Sequence, residues 1–176
     1  MILMETLMSE PVIDALTLAD LRELLQQAGY RVQELADLNG VKFLQSATGG
    51  MGFDLRPGNQ LPGAAAGHYA DLRLQAVAQI QGDLPGELVL RWNNTRRFGR
   101  LRIDQNFLVC EMDVSVLGGV TNAYVRAQFG LWDQLMQDLV AYLRDELRKL
   151  TAANEALAAA PAGAMRRNGL EAIASV

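Results

Sequence analysis

The chain contains very few of the residues that build disulfides, zinc sites and thiol or imidazole catalysts. Its 176 residues include one cysteine, Cys110, and one histidine, His68. A single cysteine cannot form an internal disulfide, and these two side chains cannot supply the three or four ligands of a zinc site unless carboxylates complete it. We therefore expect a reducing, cytoplasmic compartment, no metal and no other cofactor.

Long apolar runs and a basic leader are missing as well. The first twelve residues, MILMETLMSEPV, contain two glutamates and no lysine or arginine. No apolar run in the chain approaches the roughly 18 residues that a membrane span needs. We expect a protein that is neither secreted nor bound to a membrane.

Positive charge is in slight deficit. The chain has 16 lysines and arginines against 20 aspartates and glutamates, a net charge of −4 at pH 7. A negative field of this kind repels phosphate backbones on average. Half of the residues are hydrophobic and 20% are charged, which is typical of a folded soluble domain.

Apolar spacing predicts an amphipathic helix near the start of the chain. Leu18, Leu21 and Leu25 recur at helical intervals. Thr17 can cap the first turn, and Gly29 supplies the stop. The pattern indicates a helix that buries one face.

Strand patterns then replace the helical period. The segments YRVQEL, GVKFLQS and MGFDLR are separated by the turn sequences DLNG and ATGG, and YADLRLQAVAQI adds a further alternating segment. RPGNQLPGAAAGH, which precedes that last segment, is rich in proline and glycine and is predicted to be a mobile connection. TGGMGF lacks the lysine and hydroxyl residue that end a phosphate loop, so we interpret it as a turn.

The second half of the chain predicts a short helix, a hairpin and a long helix. LPGELVLRWNNTRR indicates the short helix, with Pro85 near its first turn. GRLRID and FLVCEMD form the hairpin, which turns at Gln105 and Asn106. Thr121 can cap the last helix, which is expected to run to about Leu150.

Arginine is concentrated in one segment, RWNNTRRFGRLRID, which carries five arginines with a tryptophan and a phenylalanine in fourteen residues. The predicted hairpin register places Arg100 opposite Glu111 and Arg102 diagonal to the same glutamate. Two of the five arginines therefore have a carboxylate partner within the hairpin.

The other three arginines also have local explanations. Arg96 and Arg97 come at the end of the short helix, where cations are favourable near the last carbonyls. Arg91 follows Glu87 by four residues, a spacing that permits an ion pair. We interpret the cluster as structural and expect no specific binding to nucleic acid.

Residues that could carry catalysis are explained more simply by structure. Cys110 alternates inward and is predicted to be a small buried hydrophobe, and His68 is predicted to be a surface or loop residue. Glu111 and Asp113 share a strand face, as acid–base pairs can, but the arginines opposite make them unsuited to donating protons.

The block WNNTRRFGRLRID, followed by FLVCEMDVSVLGGVT, resembles the YbjN family of bacterial sensory transduction regulators. In that family an asparagine-containing helix end leads through an Arg-Arg-Phe segment into a strand pair and a Gly-Gly turn before the last helix. The resemblance extends to the order of elements from Thr17 to about Leu147. The matching motif positions, whose roles are structural or unknown, are Asn93, Arg96, Arg97, Phe98, Asp113, Gly118 and Gly119.

The resemblance implies an α+β fold in which an antiparallel sheet is flanked by helices in the order α-β-β-β-α-β-β-α, like that of type III secretion chaperones. It also implies a small dimeric protein that binds a partner polypeptide and turns over no substrate. No catalytic residue can be transferred from the family. A nucleic-acid-associated regulator and an uncharacterised enzyme are the alternatives.

Domain boundaries and a candidate interface complete the expectations. Residues 1–16 are expected to be an extension, 17–150 the domain, and 151–176 a flexible tail. The length of the last helix suggests a further buried surface, for a homodimer or an unidentified protein partner. The side chains that suggest this surface lie beside the core stripe of the helix and are Leu131, Leu135 and Tyr142.

Overall fold

The computed structural model describes residues 12–82 and 84–159. The three helices in these ranges are α1 (Leu18–Gln27), α2 (Gly86–Thr95) and α3 (Asn122–Ala159). The strands are β1 (Val12–Ile13), β2 (Gln33–Ala36), β3 (Lys42–Thr48), β4 (Met51–Pro57), β5 (Asp71–Gln79), β6 (Arg100–Asp104), β7 (Phe107–Ser115) and β8 (Val120–Thr121). Residues 1–11 of the predicted extension and 160–176 of the predicted tail lie outside the described ranges.

The centre of the fold is a six-stranded antiparallel sheet in the order β2-β3-β4-β5-β7-β6. The short strands β1 and β8 form a separate antiparallel pair. The predicted α+β class with an antiparallel sheet is therefore confirmed.

The predicted order of elements needs one correction. Four strands of the large sheet precede α2, where the resemblance implied three. The fourth is β5, in which buried Leu72, Leu74 and Ala76 alternate with more exposed residues. Because this alternation places an apolar row on the core side, β5 can fill the centre of the sheet between β4 and β7.

Helix α1 begins and ends as its sequence predicts. Thr17 and Asp20 form a capping box, in which the Asp20 backbone N–H donates to the Thr17 hydroxyl and the Thr17 backbone N–H donates to the Asp20 carboxylate. Gly29 follows the helix with a φ of +92°, a conformation that glycine adopts without steric cost. The buried face of the helix carries Leu21, Leu24 and Leu25.

The hairpin of β6 and β7 has the predicted register. Arg100 is paired with Glu111, Leu101 with Cys110 and Asp104 with Phe107, so Gln105 and Asn106 form the turn. The TGGMGF segment is also a tight turn, because Thr48 is paired with Met51 across two glycines.

Helix α3 packs its first half on the core side of the sheet. The Thr121 hydroxyl accepts a hydrogen bond from the Tyr124 backbone N–H at 3.1 Å, as expected of a helix cap. Phe129 and Trp132 are buried and make edge-to-face contacts with Tyr30 and Phe53 respectively. These contacts place α3 over β4.

The chain divides into two compact units, of which the first ends at Asp138 and the second begins at Leu139. The described part of the second unit is helical as far as Ala159, beyond the expected end at Leu150. Within the ranges that the structure covers, no helix combines the length and the apolar character needed to cross a membrane.

Candidate functional site

The junction between α2 and β6 is closed by two side chains of the arginine-rich segment. The Trp92 indole N–H donates to the Gly99 carbonyl at 3.0 Å. The Asn93 side-chain amide donates to the Leu101 carbonyl at 2.9 Å, and its oxygen accepts from the Leu101 backbone N–H at 2.9 Å. Trp92 therefore binds the residue directly before β6, and Asn93 binds the second residue of β6.

The Asn93 contact protects an open sheet edge. β6 is the last strand on its side of the sheet, so the outward N–H and C=O groups of Leu101 have no neighbouring strand. An edge of this kind needs other partners or a cover. The Asn93 amide supplies one donor and one acceptor, as the backbone of an adjacent strand would.

The residues between α2 and β6 form an unusual turn around Phe98. Phe98 has a φ of +67°, and the Gly99 backbone N–H donates to the Arg97 carbonyl at 2.8 Å. This three-residue hydrogen bond around a positive φ is a rare, strained γ-turn. The Phe98 side chain is not buried in compensation, because 59% of its surface is exposed.

The arginines of the segment are not neutralised in the way the sequence suggested. Arg102 makes the expected contact with Glu111, in which Nε lies 3.6 Å from a carboxylate oxygen, and a closer contact with Asp104, which was not predicted, in which Nη1 lies 2.8 Å from a carboxylate oxygen. Arg100, by contrast, points Nη1 at the Asn93 carbonyl, 3.2 Å away. The expected ion pair between Arg100 and Glu111 is therefore wrong although the register is right, because the helix end offers Arg100 a carbonyl of its last turn.

Arg96 and Arg97 are both exposed. The Arg96 guanidinium carbon lies 5.5 Å from the centre of the Trp92 ring, within the range of a cation–π contact. Among the described residues, neither of these arginines nor Arg100 has a carboxylate within ion-pair distance.

The exposed face of the central strands carries a network of opposite charges. Arg73 on β5 binds Asp113 on β7, with Nε and Oδ1 2.8 Å apart, and Arg73 Nη1 lies 3.5 Å from Glu111 Oε2. Glu111 thus lies between Arg73 and Arg102. We call the sheet side that carries these four residues the polar face.

The two motif glycines form the turn between β7 and β8. Gly118 and Gly119 have φ values of +84° and +86°, and the Gly119 backbone N–H donates to the Val116 carbonyl at 3.0 Å. A Cβ atom on Gly119 would lie 2.4 Å from Val12 Cγ1, whereas one on Gly118 would have no neighbour within 4 Å. The turn therefore also sets the approach of β1 to β8.

Comparison with protein families matches residues 17–145, well over half of the chain, to the YbjN model, whose description is "Putative bacterial sensory transduction regulator". The chain belongs to the YbjN family. The description of the family names a regulator and not an enzyme. No match was found among curated proteins.

Five of the seven motif positions of this YbjN chain divide into two groups, while Arg96 is exposed but contacts the Trp92 ring and Gly118 forms the turn after β7. Asn93, Asp113 and Gly119 make contacts within the fold, which are described above. Arg97 and Phe98 are exposed on the turn after α2. Residue type does not separate the two groups. Arg97 is exposed, whereas the arginines of the polar face, Arg73 and Arg102, are paired with carboxylates of the same chain.

The reactive side chains of the YbjN chain are engaged in the core or lie on a loop. Cys110 is 1% exposed, and its burial raises the pKa of the thiol to about 12. His68 lies half-buried in the loop before β5, with Nδ1 3.1 Å from the Ala65 carbonyl. In residues 12–82 and 84–159, no cluster of three or more metal-ligating side chains is present.

The candidate dimer surface on α3 is only partly available. Leu131 is half-buried, and so is Tyr142 in the second unit. Leu135 is 5% exposed, and its methyl groups lie so near Gly99 that a Cβ there would be 3.3 Å from each. Leu135 is therefore a core residue of its own chain and does not belong to an exposed surface.

A cavity that the sequence did not indicate opens beside the start of β2. Its volume is about 660 Å³, and its lining includes Tyr30, Ser46 and Asp133. Burial, together with the neighbouring Asp133 carboxylate, raises the pKa of Tyr30 above its ordinary range. The Tyr30 hydroxyl donates to the Phe129 carbonyl. This hydrogen bond connects the segment that follows α1 to α3. Sequence spacing gives no sign of such a contact between residues about a hundred positions apart.

Proposed function

We propose that this YbjN protein is a non-enzymatic regulatory or chaperone-like protein of the cytoplasm that acts as a homodimer and binds a partner polypeptide. The observation that carries the proposal is the Phe98 turn, where a large aromatic side chain is exposed next to arginines that make no ion pair in the described part of the chain. Exposed aromatic and arginine side chains are enriched in protein interfaces.

The distribution of reactive groups favours binding over catalysis. A nucleophilic cysteine needs an accessible thiolate, and Cys110 is buried with a raised pKa. An acid–base pair needs a carboxylate that can exchange a proton with a substrate, and Glu111 lies between two arginines. The family description, which names a regulator, supports the same conclusion.

One observation favours a second candidate, a nucleic-acid-associated regulator. An exposed aromatic ring among arginines can also stack on a base while the arginines bind phosphates. The net charge of −4 acts against this candidate, because a negative field repels a phosphate backbone on average.

An affinity capture from the native cytoplasm separates these functions. The purified full chain is immobilised, and the retained material is divided and treated with a nuclease or a protease before identification. The proposal predicts a specific polypeptide whose retention survives the nuclease. Retention that the nuclease abolishes supports the second candidate, and the absence of any retained polypeptide contradicts the proposal.

A further inference from the structure

The turn around Phe98 carries a strain that packing of the side chain does not explain. A bulky residue with positive φ is an outlier, and such outliers persist only where the surrounding structure holds them. A glycine would adopt the same φ of +67° without strain. Phenylalanine is present at this position instead, with its ring largely in solvent.

The surroundings hold the turn firmly on both sides. Trp92 binds the Gly99 carbonyl directly after the turn, and Asn93 binds both backbone groups of Leu101 two residues later. Gly99 itself is buried, since a Cβ there would contact Leu135 and lie 3.6 Å from the Cys110 sulfur. The fold thus presents the Phe98 ring from a fixed backbone, which reduces the entropy lost when a partner binds it.

The charge around the turn selects the partner. Arg96, Arg97 and Arg100 are exposed, and within the described residues none of them has a carboxylate partner. Their other contacts, with the Trp92 ring and the Asn93 carbonyl, leave the charge in place. Three exposed arginines therefore lie within two positions of one exposed aromatic residue, in a chain whose net charge is negative.

We propose that Phe98, Arg96, Arg97 and Arg100 form a docking site for a short acidic segment of the partner polypeptide, in which carboxylates pair with the guanidinium groups and an apolar side chain contacts the Phe98 ring. This inference rests on the proposed function and assigns it a site and a partner chemistry. Three charges match two or three carboxylates of a peptide, whereas affinity for a nucleic acid depends on the number of phosphates that are neutralised and is weak at physiological salt when that number is small.

A binding titration with defined polymers tests the site. The fluorescently labelled probe is a copolymer of glutamate and tyrosine, and polyglutamate, a copolymer of lysine and tyrosine, and a 20-nucleotide oligothymidylate are the comparisons. At physiological salt the full chain should bind the glutamate–tyrosine copolymer at least about tenfold more tightly than any comparison, as expected of an aromatic anchor with matching charges.

The variant Phe98→Gly separates recognition from folding. Glycine keeps the turn and removes the ring, so the urea midpoint should be equal to or above that of the wild type while affinity for the probe falls at least about tenfold. Phe98→Asn, whose side chain also tolerates positive φ, is the second variant if glycine lowers the midpoint. Arg102→Ala is the matched control, because Arg102 is held by Asp104 and Glu111, and it should bind within about twofold of wild type.

Three results would overturn the docking site. They are equal binding by Phe98→Gly and wild type, equal binding of the lysine and glutamate copolymers, and preferential binding of the oligothymidylate. If the affinity capture retains the same polypeptide on wild type and on Phe98→Gly, the docking site fails and the proposed function stands. If it retains no polypeptide on either, both fail.

Discussion

At the scale of single residues, neighbouring positions of one motif have opposite relations to the fold. Asn93 directs its polar atoms at the backbone of β6, and Phe98, five residues later, directs its ring at solvent. The first contact stabilises the domain, and the second side chain leaves an apolar surface that the domain does not use. A family motif in this chain therefore contains residues that bind within the fold and residues that remain exposed.

The Asn93 contact gives a prediction for stability. Asn93→Ala removes two hydrogen bonds and leaves two backbone groups of Leu101 unpaired at a partly buried edge, so the free energy of unfolding should fall by about 1–3 kcal/mol. Asn94→Ala, at the adjacent exposed position, is the matched control and should change it by less than about 0.5 kcal/mol. Urea unfolding monitored by tryptophan fluorescence measures both, and equal effects would contradict the edge-capping role.

Burial of the single thiol predicts how stability depends on pH. The pKa of Cys110 is raised from 9.0 to about 12 on folding, so between these values the unfolded chain releases a proton that the folded chain keeps. The unfolded state is then favoured, and stability is lost as pH rises from about 9 towards 12. As pH rises through this range, the urea midpoint of the wild type should fall more than that of Cys110→Ala, because the variant has no thiol to titrate. Parallel curves would show that the thiol titrates equally in both states.

The burial of single residues is predictable from the sequence where strand alternation decides it. Cys110 was predicted to be buried because it lies between inward-facing Leu108 and Met112, and it is. The roles of Asn93 and Phe98 could not be predicted in this way. Each depends on how the chain crosses from α2 to β6, and backbone geometry of that kind has no periodic signature in the sequence.

At the scale of elements, a two-residue turn made the β6–β7 register predictable. Once Gln105 and Asn106 were assigned to the turn, every cross-strand pair followed, and all are observed. The partner of Arg100 did not follow, since a long side chain can reach either a cross-strand carboxylate or the end of α2. The burial of Leu135 was not predictable either, because it results from the absence of a side chain at Gly99, which admits α3 to the strand beside it.

The turn between β7 and β8 gives a prediction with an internal control. Gly118→Ala and Gly119→Ala both place a side chain at positive φ, which costs roughly 1–2 kcal/mol each. Gly119→Ala should cost about 0.5–1.5 kcal/mol more, because Val12 must leave its rotamer to avoid the new methyl group. In a Val12→Ala background the excess should disappear, as urea unfolding of the four variants would show. If Gly119→Ala still costs more than Gly118→Ala in the Val12→Ala background, the contact with Val12 is not the cause of the difference.

The polar face predicts which charged pairs are coupled. A double-mutant cycle on Arg73 and Asp113, which form a two-bond pair, should give a coupling energy of about 0.2–1 kcal/mol because the pair is exposed. The control cycle on Arg100 and Glu111, which are opposite in register but bound to other groups, should give a value near zero. A larger coupling in the control would restore the ion pair that the sequence suggested.

At the scale of the whole molecule, the class of the fold was predictable, and alternation in YADLRLQAVAQI predicted the fourth strand before α2, but the place of that strand in the sheet was not predictable. The change from helical to alternating periodicity shows where helices end and the sheet begins, but the resemblance to a known family supplied an order with one strand too few. The extra strand, β5, is central in the sheet. The position of a strand in a sheet is decided by pairing between distant segments, so it has no local signal.

The proposed homodimer is a prediction about the assembled molecule. Leu131 on the first unit is half-buried and, on the second unit, Leu147 is exposed, so α3 retains apolar side chains that a second copy could cover. Light scattering at micromolar concentration should give twice the chain mass of 19.2 kDa. A monomer mass that does not change with concentration would exclude this part of the proposal.

The central claim is that the chain acts by binding a polypeptide through the exposed part of its arginine-rich motif. The most direct measurement is affinity capture from the native cytoplasm with wild type and Phe98→Gly side by side, after the variant has shown a urea midpoint equal to or above that of the wild type. The wild type should retain a nuclease-resistant polypeptide, and the variant less than about a tenth of it. Equal amounts on both proteins, or nucleic acid in place of the polypeptide, would contradict the claim.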